Sequence, residues 1–122
     1  MIMGWKADRF GGPEVLQWTD IGPLEPGRGQ LRVRVHASGV NFAETRMLAG
    51  TYTGVDVPIV MGMESAGVVE AGGADVTGFA VGDRVFGRAR GSHAQAVLMD
   101  AALAMPMPEA MAFTDAAAIP VG

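Results

Sequence analysis

The chain has 122 residues, 49% of them apolar and 18% charged, with a net charge of −4 and no cysteine. This size and apolar content predict one folded domain with a real core rather than a disordered segment. The acidic balance argues against a nucleic-acid-binding surface, and the lack of cysteine excludes disulfides and thiolate metal sites.

The N-terminal residues 1–8, MIMGWKAD, predict an opening strand, and VLQWTD at residues 15–20 predicts a second one. The lysine and the aspartate of the first stretch interrupt the apolar run that a secretory signal needs. No apolar run approaches the ~20 residues that cross a bilayer. We therefore expect a soluble, cytoplasmic protein with no membrane partner.

Residues 30–37, QLRVRVHA, carry the clearest strand pattern in the chain. Leu31, Val33, Val35 and Ala37 alternate with polar residues. This period of two is typical of a strand with one buried face.

Residues 41–50 predict one short helix. Asn41 suits the N-cap, and Glu44 three residues later has the spacing of a capping box. Gly50 predicts the C-terminal end. The side chains expected to face the core are Phe42, Met47 and Leu48.

The second half of the chain predicts more short strands separated by turns. ESAGVVEAG at residues 64–72 predicts a strand that bends at its glycines, and residues 72–83 predict a loop. DRVFG, SHAQAVLMD and AALAMP predict further strands. TDAAAIP at residues 114–120 predicts one or two helical turns, capped by Thr114 or Asp115 and stopped by Pro120. The layout is mainly β with short helices, as in an open barrel or sandwich.

Five stretches, in one order and spacing, resemble the zinc-independent quinone oxidoreductase branch of the medium-chain dehydrogenase/reductases. They are ASGVNFAET, AGTY, PIVMGMESAGVVEAGG, VTGFAVGDRVFG and AAAIPVG. The resemblance implies a GroES-like, partly open β-barrel that carries substrate contacts. In that family a Rossmann domain follows and binds NADPH.

The pyrophosphate-binding pattern G-x-G-x-x-G of a Rossmann domain does not occur in this sequence. GMESAG at residues 62–67 comes nearest, but Glu64 replaces the second glycine, and its carboxylate would repel a phosphate. We therefore expect residues 1–122 to form the catalytic, substrate-binding domain, ending where a coenzyme domain would begin. The chain alone is expected neither to bind NADPH tightly nor to turn over.

Zinc is not expected at this site. The metal-dependent branch of the superfamily has a cysteine at the position of Asn41 and a histidine at the position of Met63. Neither asparagine nor methionine is a good zinc ligand, and a catalytic zinc needs about three. A zinc alcohol dehydrogenase relative with relocated ligands is the alternative.

The resemblance assigns Asn41 to the coenzyme ribose and the substrate, and Tyr52 to the substrate oxygen or the quinone-binding region. Glu44 stands where the family has an aspartate that can bond the ribose. The alternatives are an N-cap role for Asn41, completion of the cap by Glu44, and a rim-packing aromatic for Tyr52.

Four further polar residues have structural and functional interpretations. Glu64 matches a glutamate of the family and is expected to be a structural, hydrogen-bonded carboxylate. His93 stands where the family often has an aromatic, and a general-acid role is the functional alternative. Arg88 and Arg90 form either a solvated loop or a patch that reaches a 2′-phosphate.

Two functions remain open from the sequence. The first is the catalytic half of an NADPH-dependent reductase of small-molecule quinones or enones. The second is a stand-alone GroES-like module without catalysis, whose apolar domain-junction surface would drive homo-oligomerisation.

Overall fold

The computed structural model describes residues 1–121, which form two antiparallel sheets and two short α-helices. The helices are α1 (Phe42–Ala49) and α2 (Phe113–Ala117), and a 3₁₀ turn covers Pro13–Val15. The strands are β1 (Met3–Ala7), β2 (Leu16–Asp20), β3 (Gln30–Ser38), β4 (Ile59–Val60), β5 (Glu64–Gly72), β6 (Arg84–Arg88), β7 (Ala96–Asp100) and β8 (Met105–Pro106). The predicted mainly β fold with short helices is confirmed.

The smaller sheet has the order β2-β1-β4, and the larger one has the order β7-β3-β5-β6-β8. Backbone hydrogen bonds connect β1 to the segment that precedes β7. The Trp5 amide donates to the His93 carbonyl over 2.9 Å, and the Gln95 amide donates to the Met3 carbonyl over 2.8 Å. The two sheets therefore meet along one side without closing, which agrees with the predicted partly open barrel.

Strand β3 lies inside the larger sheet, between β7 and β5, and has the predicted alternation. Leu31 and Val33 are fully buried, whereas Arg34 and His36 are exposed. Its register with β5 shifts twice, between Arg32 and Val33 and between Val35 and Ala37, so the pairing of the two strands is irregular. The bend of the residue 64–72 strand at its glycines stays a prediction.

Three apolar clusters form the core of the domain. One lies between the strands of the larger sheet, the second beneath α1, and the third beneath α2. Their largest buried members are Leu31, Val33, Val69, Val85, Val97 and Met99 in the first cluster, Met47, Leu48 and Met61 in the second, and Phe86 in the third.

Helix α1 begins and ends as predicted but is capped differently. Asn41 is the N-cap residue by backbone conformation, yet its side chain makes no capping hydrogen bond. The predicted capping box is wrong because the Glu44 carboxylate is directed to His93 instead. The predicted burial of Phe42 is also wrong. This ring is 72% exposed and lies under the Arg46 guanidinium, 5.2 Å from its centroid.

Gly50 ends α1 in the left-handed conformation, with φ at 84°. A β-carbon there would also lie 2.8 Å from the Phe10 ring. We expect Gly50→Ala to lower the free energy of unfolding by about 1–2 kcal/mol, measured by urea denaturation. Gly54→Ala is the matched control, because Gly54 has φ at 82° and nothing within 4 Å of the added carbon. An equal loss in both variants would rule out the contribution of Phe10.

Two predictions for the C-terminal third need correction. Within residues 101–106 only Met105–Pro106 is a strand, because the preceding residues turn back with the Leu103 amide bonded to the Asp100 carbonyl. Helix α2 begins at Phe113 with Ala112 as N-cap, so the predicted caps Thr114 and Asp115 lie inside it.

Tertiary packing explains the early start of α2. The Phe113 ring stacks on His36 with a centroid distance of 4.3 Å and lies under the Arg84 guanidinium. Ala116 and Ala117 are buried on the same side. Within residues 1–121, neither helix has the length and apolar character needed to traverse a bilayer.

Candidate functional site

The site is built where β3 ends, α1 begins, and two neighbouring segments run side by side. Backbone hydrogen bonds join every second amide of residues 89–93 to the carbonyls of the consecutive residues 61–63. Gly62 has φ at 109°, and a β-carbon there would collide with the backbone of residues 92–93, so only glycine permits this approach. The bonds are Ala89 N–H to Met63 O at 2.9 Å, Gly91 N–H to Gly62 O at 3.0 Å, and His93 N–H to Met61 O at 2.8 Å.

Two side-chain hydrogen bonds to His93 connect the end of β3 to α1. The Ser38 Oγ lies 2.7 Å from His93 Nδ1, and His93 Nε2 lies 2.8 Å from Glu44 Oε2. The His93 side chain is 15% exposed and the Glu44 side chain 5%. Hydrogen bonds thus join a carboxylate, an imidazole ring and a hydroxyl in series, and the carboxylate and the ring are largely out of solvent.

The Glu44 carboxylate defines the role of one ring nitrogen. A carboxylate accepts hydrogen bonds, so His93 Nε2 donates to Glu44 Oε2. The histidine therefore positions Glu44 through one nitrogen and is itself positioned by Ser38 through the other.

Two side-chain polar atoms at the start of α1 are buried and have no hydrogen-bond partner within residues 1–121. They are Nδ2 of Asn41, a donor, and Oε1 of Glu44, an acceptor. Buried polar atoms in native proteins are almost always bonded to protein, water or ligand. A donor and an acceptor left open in the first turn of one helix fit a ligand that offers the complementary pair, as a ribose hydroxyl or a carboxamide does.

Tyr52 lies beyond the other end of α1. Its ring packs against the cluster beneath the helix and lines an open hollow of about 660 Å³. Met63, Arg88 and Arg90 line the same hollow. The structure thus brings Asn41 and Glu44 together, whereas the lining of this hollow does not extend to Asn41.

The donor set does not fit a metal ion. Residues 1–121 contain no group of three His, Cys, Asp or Glu side chains arranged to hold one. His93 and Glu44 are bonded to each other, and Asn41 and Met63 are poor zinc ligands.

Glu64 occupies a buried position at the start of β5, next to the site. Its Oε2 accepts a hydrogen bond from the Val121 amide over 2.5 Å, and a β-carbon on Gly39 would contact its carboxylate. These contacts support the structural role expected of this glutamate.

A family model described as the alcohol dehydrogenase GroES-like domain matches residues 27–109. The chain belongs to this family. The quinone oxidoreductase of Pseudomonas aeruginosa is 50% identical to the GroES-like domain described here over 76 residues, which are 62% of this chain and 23% of that protein. The 2-haloacrylate reductase of a Burkholderia species is 43% identical over 88 residues, which are 70% of this chain and 26% of that protein.

The crystal structure of Escherichia coli quinone oxidoreductase complexed with NADPH has the same fold. It aligns to the GroES-like domain with a TM-score of 0.90 and 33% identity, covering 96% of this chain and 36% of that one. The resemblance to quinone oxidoreductases inferred from the motifs is confirmed. The chain spans about a quarter to a third of the length of these relatives.

Sequence reasoning missed one member of the site and the connection that organises it. The missed residue is Ser38, which lies in the motif ASGVNFAET but 55 residues from its partner His93. The one signal in the sequence was that a histidine stands at position 93, where the family often has an aromatic. Its two partners in the GroES-like domain became visible only with the fold.

Proposed function

We propose that this chain is the catalytic domain of an NADPH-dependent reductase of quinones or conjugated enones that works without zinc. A coenzyme domain outside these residues would supply most of the affinity for NADPH. The observation that carries this proposal is the unsatisfied pair, Asn41 Nδ2 and Glu44 Oε1, in a domain of this family. The absence of cysteine fits a cytoplasmic location.

Asn41 and Glu44 would hold the nicotinamide end of the coenzyme. The Asn41 amide donates to an oxygen of the ligand, and the Glu44 oxygen accepts from a ribose hydroxyl or from the carboxamide. His93 and Ser38 keep the carboxylate in place, since Glu44 Oε2 is bonded to the ring. This leaves Oε1 as the oxygen that faces the ligand.

Bound NADPH would supply a hydride, and the acceptor has to accommodate the resulting negative charge. Quinones and enones spread that charge over a conjugated system, so hydrogen bonds and correct positioning are sufficient. Tyr52 would donate one such bond to the developing oxyanion. It lines the hollow, and its hydroxyl makes no side-chain hydrogen bond within residues 1–121. The relatives named above reduce quinones or a haloacrylate, which supports a conjugated acceptor.

The proposal is tested by titrating the ¹⁵N-labelled chain with two halves of the coenzyme. Reduced nicotinamide mononucleotide is expected to shift the Asn41 side-chain resonance with millimolar affinity, and 2′,5′-ADP is expected to leave it unchanged. Asn41→Ala should weaken this binding about tenfold, by loss of a hydrogen bond. Phe42→Ala is the control, because its ring is exposed. No shift with the nicotinamide half, or micromolar binding of NADPH itself to the chain, would contradict the proposal.

The second candidate function is an interaction module that associates with a second copy. Val40, Phe42 and Ile119 are exposed, and the Val121–Glu64 bond brings the C-terminal end close to Gly39. An apolar surface of this kind favours self-association. Light scattering across a concentration series tests it, and a monomer at high concentration would exclude it.

A further inference from the structure

Arg88 and Arg90 stand on either side of Ala89, at the edge of the hollow that Tyr52 lines. Ala89 is buried and its amide is bonded to Met63, while both arginines are exposed. Both arginine side chains line that hollow. The two guanidinium groups therefore border one region from neighbouring positions in the chain.

The backbone that carries the arginines is held from a second side. Ser92 is fully buried, and its hydroxyl donates to the Ala89 carbonyl over 2.6 Å and contacts Ser65 Oγ at 3.0 Å. These bonds fix the backbone between the two arginines.

Neither arginine is neutralised by the rest of the domain. Within residues 1–121 no ion pair involves Arg88 or Arg90, and Asp100 is the one acidic residue along the hollow. The chain as a whole carries a net charge of −4, so two neighbouring arginines without an ion-pair partner form a locally positive region on an acidic domain. Such a pair attracts an anion, and arginine suits a carboxylate because both groups are planar and can bond in parallel.

A smaller, mainly apolar recess of about 170 Å³ adjoins the hollow, with Met63 and Arg90 lining both. Met47, Val55 and Ile59 contribute its apolar wall, and within residues 1–121 Asp56 is the one carboxylate that lines it. A ligand that combines an apolar body with one anionic group matches this combination of recess and cations.

We propose that Arg88 and Arg90 bind the carboxylate of the acceptor, so that the substrate is an α,β-unsaturated acid. This inference rests on the proposed function and names its substrate class. NADPH held by Asn41 and Glu44 would supply a hydride to the β-carbon and leave as NADP⁺. The double bond would become single as a solvent proton adds to the α-carbon. The charge that develops on the carboxyl oxygens is stabilised by the two guanidinium groups.

The carboxylate is a better match for these arginines than the 2′-phosphate of the coenzyme. That phosphate lies at the adenosine end, far from the nicotinamide. Tyr52, which the proposed function assigns to the oxygen of the acceptor, lines the same hollow as the arginines. An anion that reaches the arginines from this hollow therefore belongs to the acceptor.

The test compares trans-2-hexenoate with its methyl ester, each titrated into the ¹⁵N-labelled chain by NMR. The acid is expected to bind about tenfold more tightly than the ester, with shifts at Tyr52 and Ala89. The double variant R88Q/R90Q should bind the acid as weakly as the ester and leave ester binding unchanged. R28Q is the control, because Arg28 is an exposed arginine paired with Asp75 away from the hollow.

Equal affinities for acid and ester, an equal loss in R28Q, or no binding of either compound would overturn the inference. So would displacement of the acid by 2′,5′-ADP, which would identify a 2′-phosphate site. If the ester shifts Tyr52 and the acid has no advantage, the substrate class is wrong while the proposed function stands. Failure of the nicotinamide mononucleotide titration would instead remove the proposed function.

Discussion

Replacing Gly67 with alanine is expected to lower the free energy of unfolding by about 3 kcal/mol or more, a large fraction of the ~5–15 kcal/mol that is typical of a folded domain. Gly67 lies on β5 opposite Val35 of β3, at the centre of the larger sheet. A β-carbon there would collide with the carbonyl oxygen of Arg34 and would lie 2.9 Å from Val33 Cγ1. The obstacle is backbone of the paired strand, so relief requires the two strands to separate.

Gly72→Ala provides the matched control on the same strand. The added carbon would lie 3.7 Å from Val76, an ordinary van der Waals contact. We expect this variant to change stability by less than about 1 kcal/mol. Urea denaturation followed by circular dichroism measures both. A Gly67→Ala chain as stable as the Gly72→Ala chain would mean that the close approach of β3 and β5 is wrong.

The second large effect is expected at His93. His93→Phe keeps a ring of similar shape but removes both hydrogen bonds, leaving the buried Glu44 carboxylate and the Ser38 hydroxyl without their shared partner. A buried carboxylate that loses its hydrogen-bond partner costs more than the ~1–3 kcal/mol of a neutral buried group, so we expect this variant to lose about 3 kcal/mol. The measurement is again the free energy of unfolding, here at pH 7.

Two variants separate the parts of this effect. Ser38→Ala removes one hydrogen bond and is expected to cost about 1 kcal/mol. His36→Phe is the control for introducing a phenylalanine, because His36 is exposed and already stacks on Phe113. If His93→Phe and His36→Phe destabilise the chain equally, the carboxylate does not depend on His93. The proposed orientation of Glu44 would then lose its basis.

The parts of the fold that follow from local sequence were predictable, and β3 shows why. Its alternation of apolar and polar residues requires one buried face whatever strands lie beside it. Gly50 ends α1 for a similarly local reason, since the left-handed conformation favours glycine. The start of α2 depends instead on the stacking of Phe113 on His36, 77 residues earlier in the chain, and no local signal reports that contact.

The candidate site shows the same limit. Asn41 and Glu44 were recognisable because helix capping and the family motif both single out these positions. The capping box failed to form because Glu44 has a better partner in His93, 49 residues away. Ser38 joins the site only because the end of β3 and the segment before β7 approach each other. Long-range contacts of this kind come from strand register, which short motifs do not encode.

The hydrogen bonds between segments 61–63 and 89–93 bear on the order in which ligands bind. Residues 89–93 carry Arg90 near one end and His93 at the other, and three hydrogen bonds tie their backbone to residues 61–63. Because this backbone is already ordered, a ligand at one end does little to reduce the entropic cost of binding at the other end. Acceptor and coenzyme should then bind nearly independently and in either order, and by reciprocity neither changes the affinity for the other.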